Sequence, residues 1–169
     1  RLLEARPWSE TDVGEVRAVA RACYDRAQNR LKEGRLAPPQ RAKMSTRAIQ
    51  WLRKQRMDFA VVAYDHQVKG ATFAAQATGY PLAQTVKTLV VDLGGAAFGL
   101  ALMPGDHQLA LKKLARVLGV KKTALVDARS AERLTGYHVG GISPFGIRRA
   151  LLVAMEASLM AHARVLVNG

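Results

Sequence analysis

The stretch GYHVGGISPFG, residues 136–146, carries the clearest chemical signal in this chain. It holds four glycines and one proline, a density that neither a helix interior nor a central strand tolerates, so it is predicted to be a loop. A glycine-rich turn can point successive backbone N–H groups at one oxygen atom. We therefore expect the backbone of this loop to bind a carbonyl or an oxyanion, although a simple tight turn would give the same pattern.

A second unusual feature is Lys87, which opens the otherwise apolar segment VKTLVV. It is either a functional cation or a lysine that extends from a strand edge into solvent. Common catalytic signatures are absent: the sequence has no Gly-x-Ser-x-Gly elbow, no Walker loop and no dinucleotide fingerprint. Its four histidines show no metal-ligand spacing, and Cys23 lies on the apolar stripe of a predicted helix. We predict neither a metal nor a cofactor.

The composition points to a polyanionic partner. The 169 residues include 26 Lys and Arg against 13 Asp and Glu, which gives a net charge of +13. Residues 1–56 alone hold 14 of these cations against 6 acids. Nucleic acid is the favoured partner, and charge does not distinguish DNA from RNA. No apolar run is long enough to cross a bilayer, so no membrane partner is predicted, and the single cysteine fits a reducing compartment.

Hydrophobic periodicity divides the chain into a helical extension, residues 1–57, and a second domain, residues 58–169. The extension is predicted to hold one helix from about Ser9 to Gly34 and another from Ser45 to Arg56. The second domain begins with the strand candidate FAVVAYDH and a short helix in GATFAAQATG. Two strands joined at a Gly-Gly turn follow, then an amphipathic helix, a short strand, a helix ending at Gly136 and a last strand in RVLVNG. This mixture predicts an α+β fold with a mixed sheet.

Three segments in this order carry a resemblance to a known family: VKTLVV, PGDHQLALKKLARVLGVKK and AERLTGYHVGGISPFG. Together they resemble the YbaK family of free-standing aminoacyl-tRNA deacylases, which is similar to the editing domain inserted in bacterial prolyl-tRNA synthetases. The similarity runs from about Phe59 to Gly169. It implies a mixed β-sheet or partly closed barrel surrounded by short helices. It also implies no cofactor.

The resemblance transfers specific roles to matching positions. The family's strand-borne Lys-Thr-Leu run begins here at Lys87, and its Gly-x-x-x-Pro loop falls on Gly140, Gly141, Ile142, Ser143 and Pro144. The implied activity is hydrolysis of the ester that joins a wrong amino acid to the terminal adenosine of tRNA. Loop amides would meet the charge of the transition state, Lys87 would hold the terminal phosphate or ribose, and a water or the substrate itself would attack. The pocket candidates are Tyr64, His66, Met103, His138 and Phe145.

The loop most resembles that of the branch that releases cysteine from Cys-tRNA(Pro), although relatives that remove alanine share the pattern. The predicted partners are the tRNA acceptor end and either prolyl-tRNA synthetase or a ribosomal particle. Family members usually continue past the last strand, and the start at Arg1 is interpreted as processing or trimming. Phosphate contacts of the extension are expected from Arg17, Arg21, Arg30, Lys32 and Arg35.

A rival hypothesis is a YbaK-like domain that serves as a structural RNA-binding subunit of a ribonucleoprotein, such as a mitochondrial ribosome. The basic extension fits that role, whereas an intact Lys87 and loop favour the enzyme. A DNA-binding protein is not predicted, because no helix-turn-helix or zinc-finger pattern is present. The expected location is the cytoplasm, with the mitochondrial matrix as the alternative.

Overall fold

The computed structural model describes residues 46–64 and 70–169. The first predicted helix of the extension lies outside these ranges, as do His66 and the five cations assigned to RNA contacts. In the described part, none of the helices has the length and apolar character required to cross a membrane.

A four-stranded mixed sheet forms the centre of the fold. Strand β1, Val86–Gly94, pairs antiparallel with β2, Ala97–Pro104, and the two are joined at the predicted Gly-Gly turn. The short strand β3, Ala124–Leu125, lies antiparallel to the other edge of β1, and β4, Leu152–Met155, lies parallel to β2. The resulting order is β3-β1-β2-β4. The predicted mixed sheet of an α+β fold is therefore confirmed, and these four strands remain an open sheet that does not close into a barrel.

Four α-helices surround the sheet: α1, Arg47–Lys54; α2, Ala71–Thr78; α3, Leu111–Leu118; and α4, Ala128–Thr135. Two 3₁₀ helices, Leu82–Gln84 and Ala157–Ala161, complete the regular elements of the described ranges. Three of the helices end at a glycine in the left-handed conformation, a stop that the sequence predicted at Gly136.

Each face of the sheet is covered by a different layer, because successive side chains of a strand point to opposite faces. On one face, Val90 and Leu100 pack against α4 and against Ile142 of the glycine loop. On the other face, Val91 and Ala101 pack against Leu114 of α3. The glycine loop is thus fixed to the sheet by its own apolar residue.

One predicted strand is wrong. Residues 59–64, the described part of FAVVAYDH, form no regular secondary structure. Val62 is 42% exposed and does not belong to any of the three core clusters of the described residues. The apolar run is therefore not buried as a strand. The last predicted strand is reduced to a single bridge, in which Leu166 lies parallel to Thr85.

The predicted second helix of the extension is confirmed as α1. The Thr46 hydroxyl caps its start by accepting a hydrogen bond of 3.2 Å from the amide of Ile49. Its buried face consists of Ala48, Ile49 and Leu52. The boundary at residue 57 between extension and domain stays a prediction, and α1 contacts the glycine loop of the domain, as described below.

Candidate functional site

The glycine loop begins where α4 ends. The Asp127 carboxylate caps the start of α4 by accepting from the Ser130 amide at 2.9 Å, and these contacts hold the pKa of Asp127 below its ordinary value. At the other end of α4, Gly136 adopts φ 77°. The Thr135 carbonyl then accepts a hydrogen bond of 3.1 Å from the amide of Arg148. This bond ties the two ends of the loop together at its base.

Tyr137 closes the loop from within. Its hydroxyl donates to the carbonyl of Phe145 at 2.7 Å. Burial raises the pKa of Tyr137, and the positive charge of Arg47 opposes that shift. The Arg47 guanidinium lies 5.5 Å from the ring centroid. The phenol therefore stays neutral at physiological pH, and its hydroxyl donates a hydrogen bond to the loop.

Three further side chains of the loop, those of Ile142, Ser143 and Phe145, also pack against the protein. Ile142 is 6% exposed in the core and Ser143 is 0% exposed. The ring of Phe145 stacks on Trp51 of α1 with centroids 5.4 Å apart, so Phe145 anchors the loop to the helix. A residue with a side chain does not fit at Gly146 without a shift of the backbone, because its Cβ would lie 2.7 Å from the carbonyl oxygen of Arg47.

The backbone N–H groups of residues 140–143 are the potential donors of the loop. The amide of Gly141 donates to the carbonyl of His138 at 3.0 Å. The amides of Gly140 and Ile142 have no acceptor among residues 46–64 and 70–169; that of Ser143 has none either, but the full burial of Ser143 keeps it out of reach of a ligand. Gly140 adopts φ 89°, a conformation that a residue with a Cβ rarely adopts. The loop thus combines two features of an oxyanion-binding turn. Several of its side chains are fixed in the protein, and some of its N–H donors have no acceptor in the described residues.

Lys87 lies in a second group of candidate residues. It is half-buried near the start of β1, and its ammonium group donates to the carbonyl of Gly105 at 3.3 Å. Directly opposite it on β2 is Met103, which is 4% exposed. Since residues opposite one another in an antiparallel pair share a face, the Lys87 and Met103 side chains are neighbours. One bond to a carbonyl leaves two donors of the ammonium group for a ligand.

Within the described residues, Lys87 with Met103 and the glycine loop form two separate groups of candidate residues. Lys87 alternates with Val86 and Thr88, so its side chain leaves β1 on the face opposite to the one on which Val90 contacts Ile142. In the described ranges, no hydrogen bond joins Lys87 to residues 140–144. That the Lys87 ammonium and the loop amides bind one substrate therefore stays a prediction. It requires that a substrate reach both the start of β1 and the glycine loop past the edge of the sheet.

The remaining pocket candidates are Tyr64, His138 and His66. Tyr64 is half-buried, its ring lies 6.2 Å from that of Phe73 in α2, and burial raises its pKa. His138 is exposed at the outside of the loop, where its Nδ1 lies 3.2 Å from the carboxylate of Glu132. His66 is outside the described residues. In those residues, no group of three His, Cys, Asp or Glu side chains has the arrangement of a metal site.

A shallow cleft of about 370 Å³ runs along the outside of the loop base. It is lined by Glu132, Arg133, Gly136, Tyr137, His138 and Arg148, and of these only His138 was predicted from the sequence to be functional. Glu132 also accepts from the amide of Val139 at 3.0 Å, so its carboxylate supports the loop from below. The signal available in the sequence was the basic pair Arg148 and Arg149, which Ile147 separates from GGISPFG.

The family model of the aminoacyl-tRNA editing domain matches residues 55–169. The chain belongs to this family. The expected YbaK-type resemblance is thereby confirmed over the region that holds Lys87 and the glycine loop. The fold and the family agree, since one solved structure, described by the words "putative trans-editing enzyme for prolyl tRNA synthetase", superposes with a TM-score of 0.62 and 27% identity. That match covers 71% of this chain and 78% of the other.

Two curated relatives extend the comparison. EbsC of Enterococcus faecalis, assigned as a Cys-tRNA(Pro)/Cys-tRNA(Cys) deacylase, is 28% identical over 106 residues, which are 63% of this chain and 65% of EbsC. A proline–tRNA ligase of Trichlorobacter lovleyi is 34% identical over 82 residues, which are 48% of this chain and 14% of the ligase. The chain therefore spans less than two thirds of the first relative and a small part of the ligase.

Proposed function

We propose that this editing domain hydrolyses the aminoacyl ester of mischarged tRNA, with Cys-tRNA(Pro) as the preferred substrate. The family membership supports an editing deacylase, and the names of EbsC and of the prolyl-tRNA ligase support a substrate built on tRNA(Pro). The observation that carries the proposal is that the amides of Gly140 and Ile142 have no acceptor in the described residues, while Tyr137, Ile142 and Phe145 fix the loop to the rest of the protein.

In the proposed reaction, a water oxygen forms a bond to the acyl carbon of the ester, whose carbonyl oxygen becomes negatively charged. The loop amides donate to that oxygen, and one such donor is typically worth ~10²–10³ in rate. When the tetrahedral intermediate collapses, the bond between the acyl carbon and the ribose oxygen breaks. The ribose oxygen takes up a proton, and the products are the free amino acid and a tRNA with its terminal hydroxyl restored.

Lys87 acts in this scheme as a point charge that positions the end of the tRNA. Its ammonium group contacts phosphate or ribose oxygen with the donors that the Gly105 carbonyl leaves unused. A protein nucleophile is not required, which agrees with the buried position of Ser143, the only hydroxyl of the loop besides that of Tyr137. Both hydroxyls are engaged in holding the loop.

The choice of cysteine is a matter of pocket size. Met103 is buried beside Lys87, and in the proposed site its flexible thioether would line the apolar side of the pocket for the amino acid. A pocket of this kind excludes large side chains but separates small ones by only ~10- to 200-fold. We therefore expect cysteine to be removed fastest and alanine more slowly.

The rival role in a ribonucleoprotein gains no support from the relatives named above. Their names refer to tRNA charging or to removal of an amino acid from tRNA. Association with prolyl-tRNA synthetase remains the more consistent partner proposal, because free-standing and inserted versions of this domain both appear among them.

The test is a deacylation assay with purified protein. Cys-tRNA(Pro), Ala-tRNA(Pro) and correctly charged Pro-tRNA(Pro) are each incubated with the protein, and the remaining ester is measured over time. We expect rapid loss of the cysteinyl ester, slower loss of the alanyl ester and no effect on the prolyl ester. If all three esters decay at the rate seen without protein, the proposed function is wrong.

A further inference from the structure

Two arginines from distant parts of the chain meet at the base of the glycine loop. A Cβ built on Gly136 would meet Nη1 of Arg47 and would lie 2.8 Å from Nε of Arg148. The two guanidinium groups therefore approach the same backbone position, which only a glycine leaves open. Arg47 also lies 3.4 Å from the carbonyls of Thr135 and Gly136, whereas Arg148 has no hydrogen bond to its side chain in the described residues.

Like charges brought together in this way repel each other unless an anion lies nearby. Among residues 46–64 and 70–169, neither arginine forms an ion pair with a carboxylate. Arg133, which lines the same cleft, has one hydrogen bond from its side chain within the described residues, to the hydroxyl of Ser130 at 3.5 Å. The one acid that lines the cleft is Glu132, and its carboxylate already accepts from His138 and from the amide of Val139.

The geometry points to a phosphate-binding cleft, and we propose that it holds a backbone phosphate of RNA next to the glycine loop. A guanidinium group matches a phosphate with two parallel N–H donors, so converging arginines favour this ligand. The net charge of +13 supports a nucleic-acid partner rather than a small anion. The proposal rests on the proposed function for the choice of RNA, because the strand that bears the ester must pass beside the loop.

The position of the cleft defines which phosphates it can take. Gly136, Tyr137 and His138 line it, and they lead directly into the loop at Gly140. A phosphate bound there lies within a few nucleotides of an ester held at the loop. The cleft would therefore contact the acceptor end, and its contacts would position the RNA without reading its sequence.

The experiment compares two matched double variants. Arg133→Gln with Arg148→Gln removes two charges from the cleft. Arg116→Gln with Lys113→Gln removes two charges from exposed positions of α3, on the opposite face of the sheet. Arg47 is left intact because it also supports the loop. The probe is an RNA minihelix of the acceptor stem that carries no amino acid. Its affinity is measured by fluorescence anisotropy over a series of salt concentrations.

We expect the cleft variant to bind at least tenfold more weakly at low salt and to lower the slope of log K against log salt by about 1 to 2, since each phosphate contact contributes about 0.7 to 0.9. The α3 variant should retain its slope. Equal slopes for the two variants would show that only overall charge attracts RNA, and would overturn the proposal.

Activity separates this inference from the function on which it rests. If the protein deacylates Cys-tRNA(Pro), the cleft variant should raise KM and leave kcat within about twofold, because phosphate contacts position the RNA and do not meet the reacting carbonyl. If the wild type hydrolyses no ester but the cleft variant still loses affinity and slope, the phosphate site stands and the proposed function fails.

Discussion

The hydroxyl of Tyr137 donates a 2.7 Å hydrogen bond to the carbonyl of Phe145, eight residues further along the chain. This bond spans the whole glycine loop, so one phenol determines the distance between its two ends. Because Phe145 in turn stacks on Trp51, the same bond couples the loop to helix α1. A loop that works through its backbone needs such fixation, since preorganised donors stabilise a transition state without reorganisation.

Replacement of Tyr137 by Phe removes only the hydroxyl. We expect kcat for Cys-tRNA(Pro) to fall about 10-fold or more, since misplaced donors lose part of their ~10²–10³ effect. The free energy of unfolding should fall by about 0.5–1.5 kcal/mol for the lost hydrogen bond. Deacylation kinetics and urea unfolding measure the two effects. Tyr80→Phe is the control, because no contact of the Tyr80 hydroxyl is seen in the described ranges. Unchanged kcat in the Tyr137 variant would contradict the role of the phenol.

The two central glycines of the loop can be separated by substitution with alanine. Gly141 does not adopt a positive φ, and a Cβ there would lie 3.7 Å from the nearest atom, the carbonyl oxygen of His138, which is an ordinary contact. Gly141→Ala should therefore fold with a nearly unchanged midpoint of urea unfolding. If the substrate approaches the loop as closely as proposed, the added methyl should still reduce kcat/KM by 10-fold or more.

Gly140→Ala behaves differently, because φ 89° at this position strains any residue with a Cβ, at a cost of about 1–2 kcal/mol. We expect a loss of both stability and activity there. Full activity of Gly141→Ala would show that the substrate does not contact that part of the backbone.

Lys87 is tested by removing its charge. Lys87→Met keeps the apolar stem and should lower kcat/KM by ~10²-fold, because the end of the tRNA that Lys87 positions would be misplaced relative to the loop amides. Stability should change little, because the single bond of the ammonium group, to Gly105, is long at 3.3 Å. Lys113→Met on the exposed side of α3 is the matched control. Equal activity of the two variants would remove Lys87 from the mechanism.

The sequence predicted the elements that depend on local signals. The strands on either side of Gly94 and Gly95 were recognisable from their apolar runs, and the end of α4 from Gly136, because a left-handed residue is a property of the chain at one point. The convergence of Arg47 on Gly136 is of a different kind. It joins positions 89 residues apart, and no periodicity of the sequence records it.

The wrong strand at residues 59–64 has a related cause. Its apolar and β-branched residues match the pattern of a strand, yet pairing with the sheet decides whether that pattern is used. The edges of the central pair are occupied by β3 and β4. Tyr64 instead packs near Phe73 of α2, a contact that only the assembled fold determines.

Docking of α1 on the loop is tested with a pair of glycines. Gly146 and Gly119 both adopt a left-handed conformation, with φ of 62° and 66°. A Cβ at Gly146 would clash with the backbone of Arg47, whereas nothing lies within 4 Å of one at Gly119. Each Ala variant should therefore lose about 1–2 kcal/mol through strain, and Gly146→Ala should lose more. Urea unfolding measures both. Equal losses would show that the close approach of α1 does not constrain the loop.

Stability at alkaline pH reports on two half-buried phenols, those of Tyr137 and Tyr64. The pKa of Tyr137 and that of Tyr64 are both raised above the ordinary value of 10.0 by burial. A group with a raised pKa in the folded state adds stability that is fully present below its unfolded pKa and is lost as the pH rises through the folded pKa. The free energy of unfolding should thus decline as the pH increases beyond 10.0. Urea unfolding at a series of alkaline pH values should show a shallower decline for Tyr137→Phe and for Tyr64→Phe, and the shallowest for the double variant. A decline of the same steepness in all four proteins would mean that these phenols ionise as readily in the folded chain as in the unfolded one, and that the loop is not held by a protected hydroxyl.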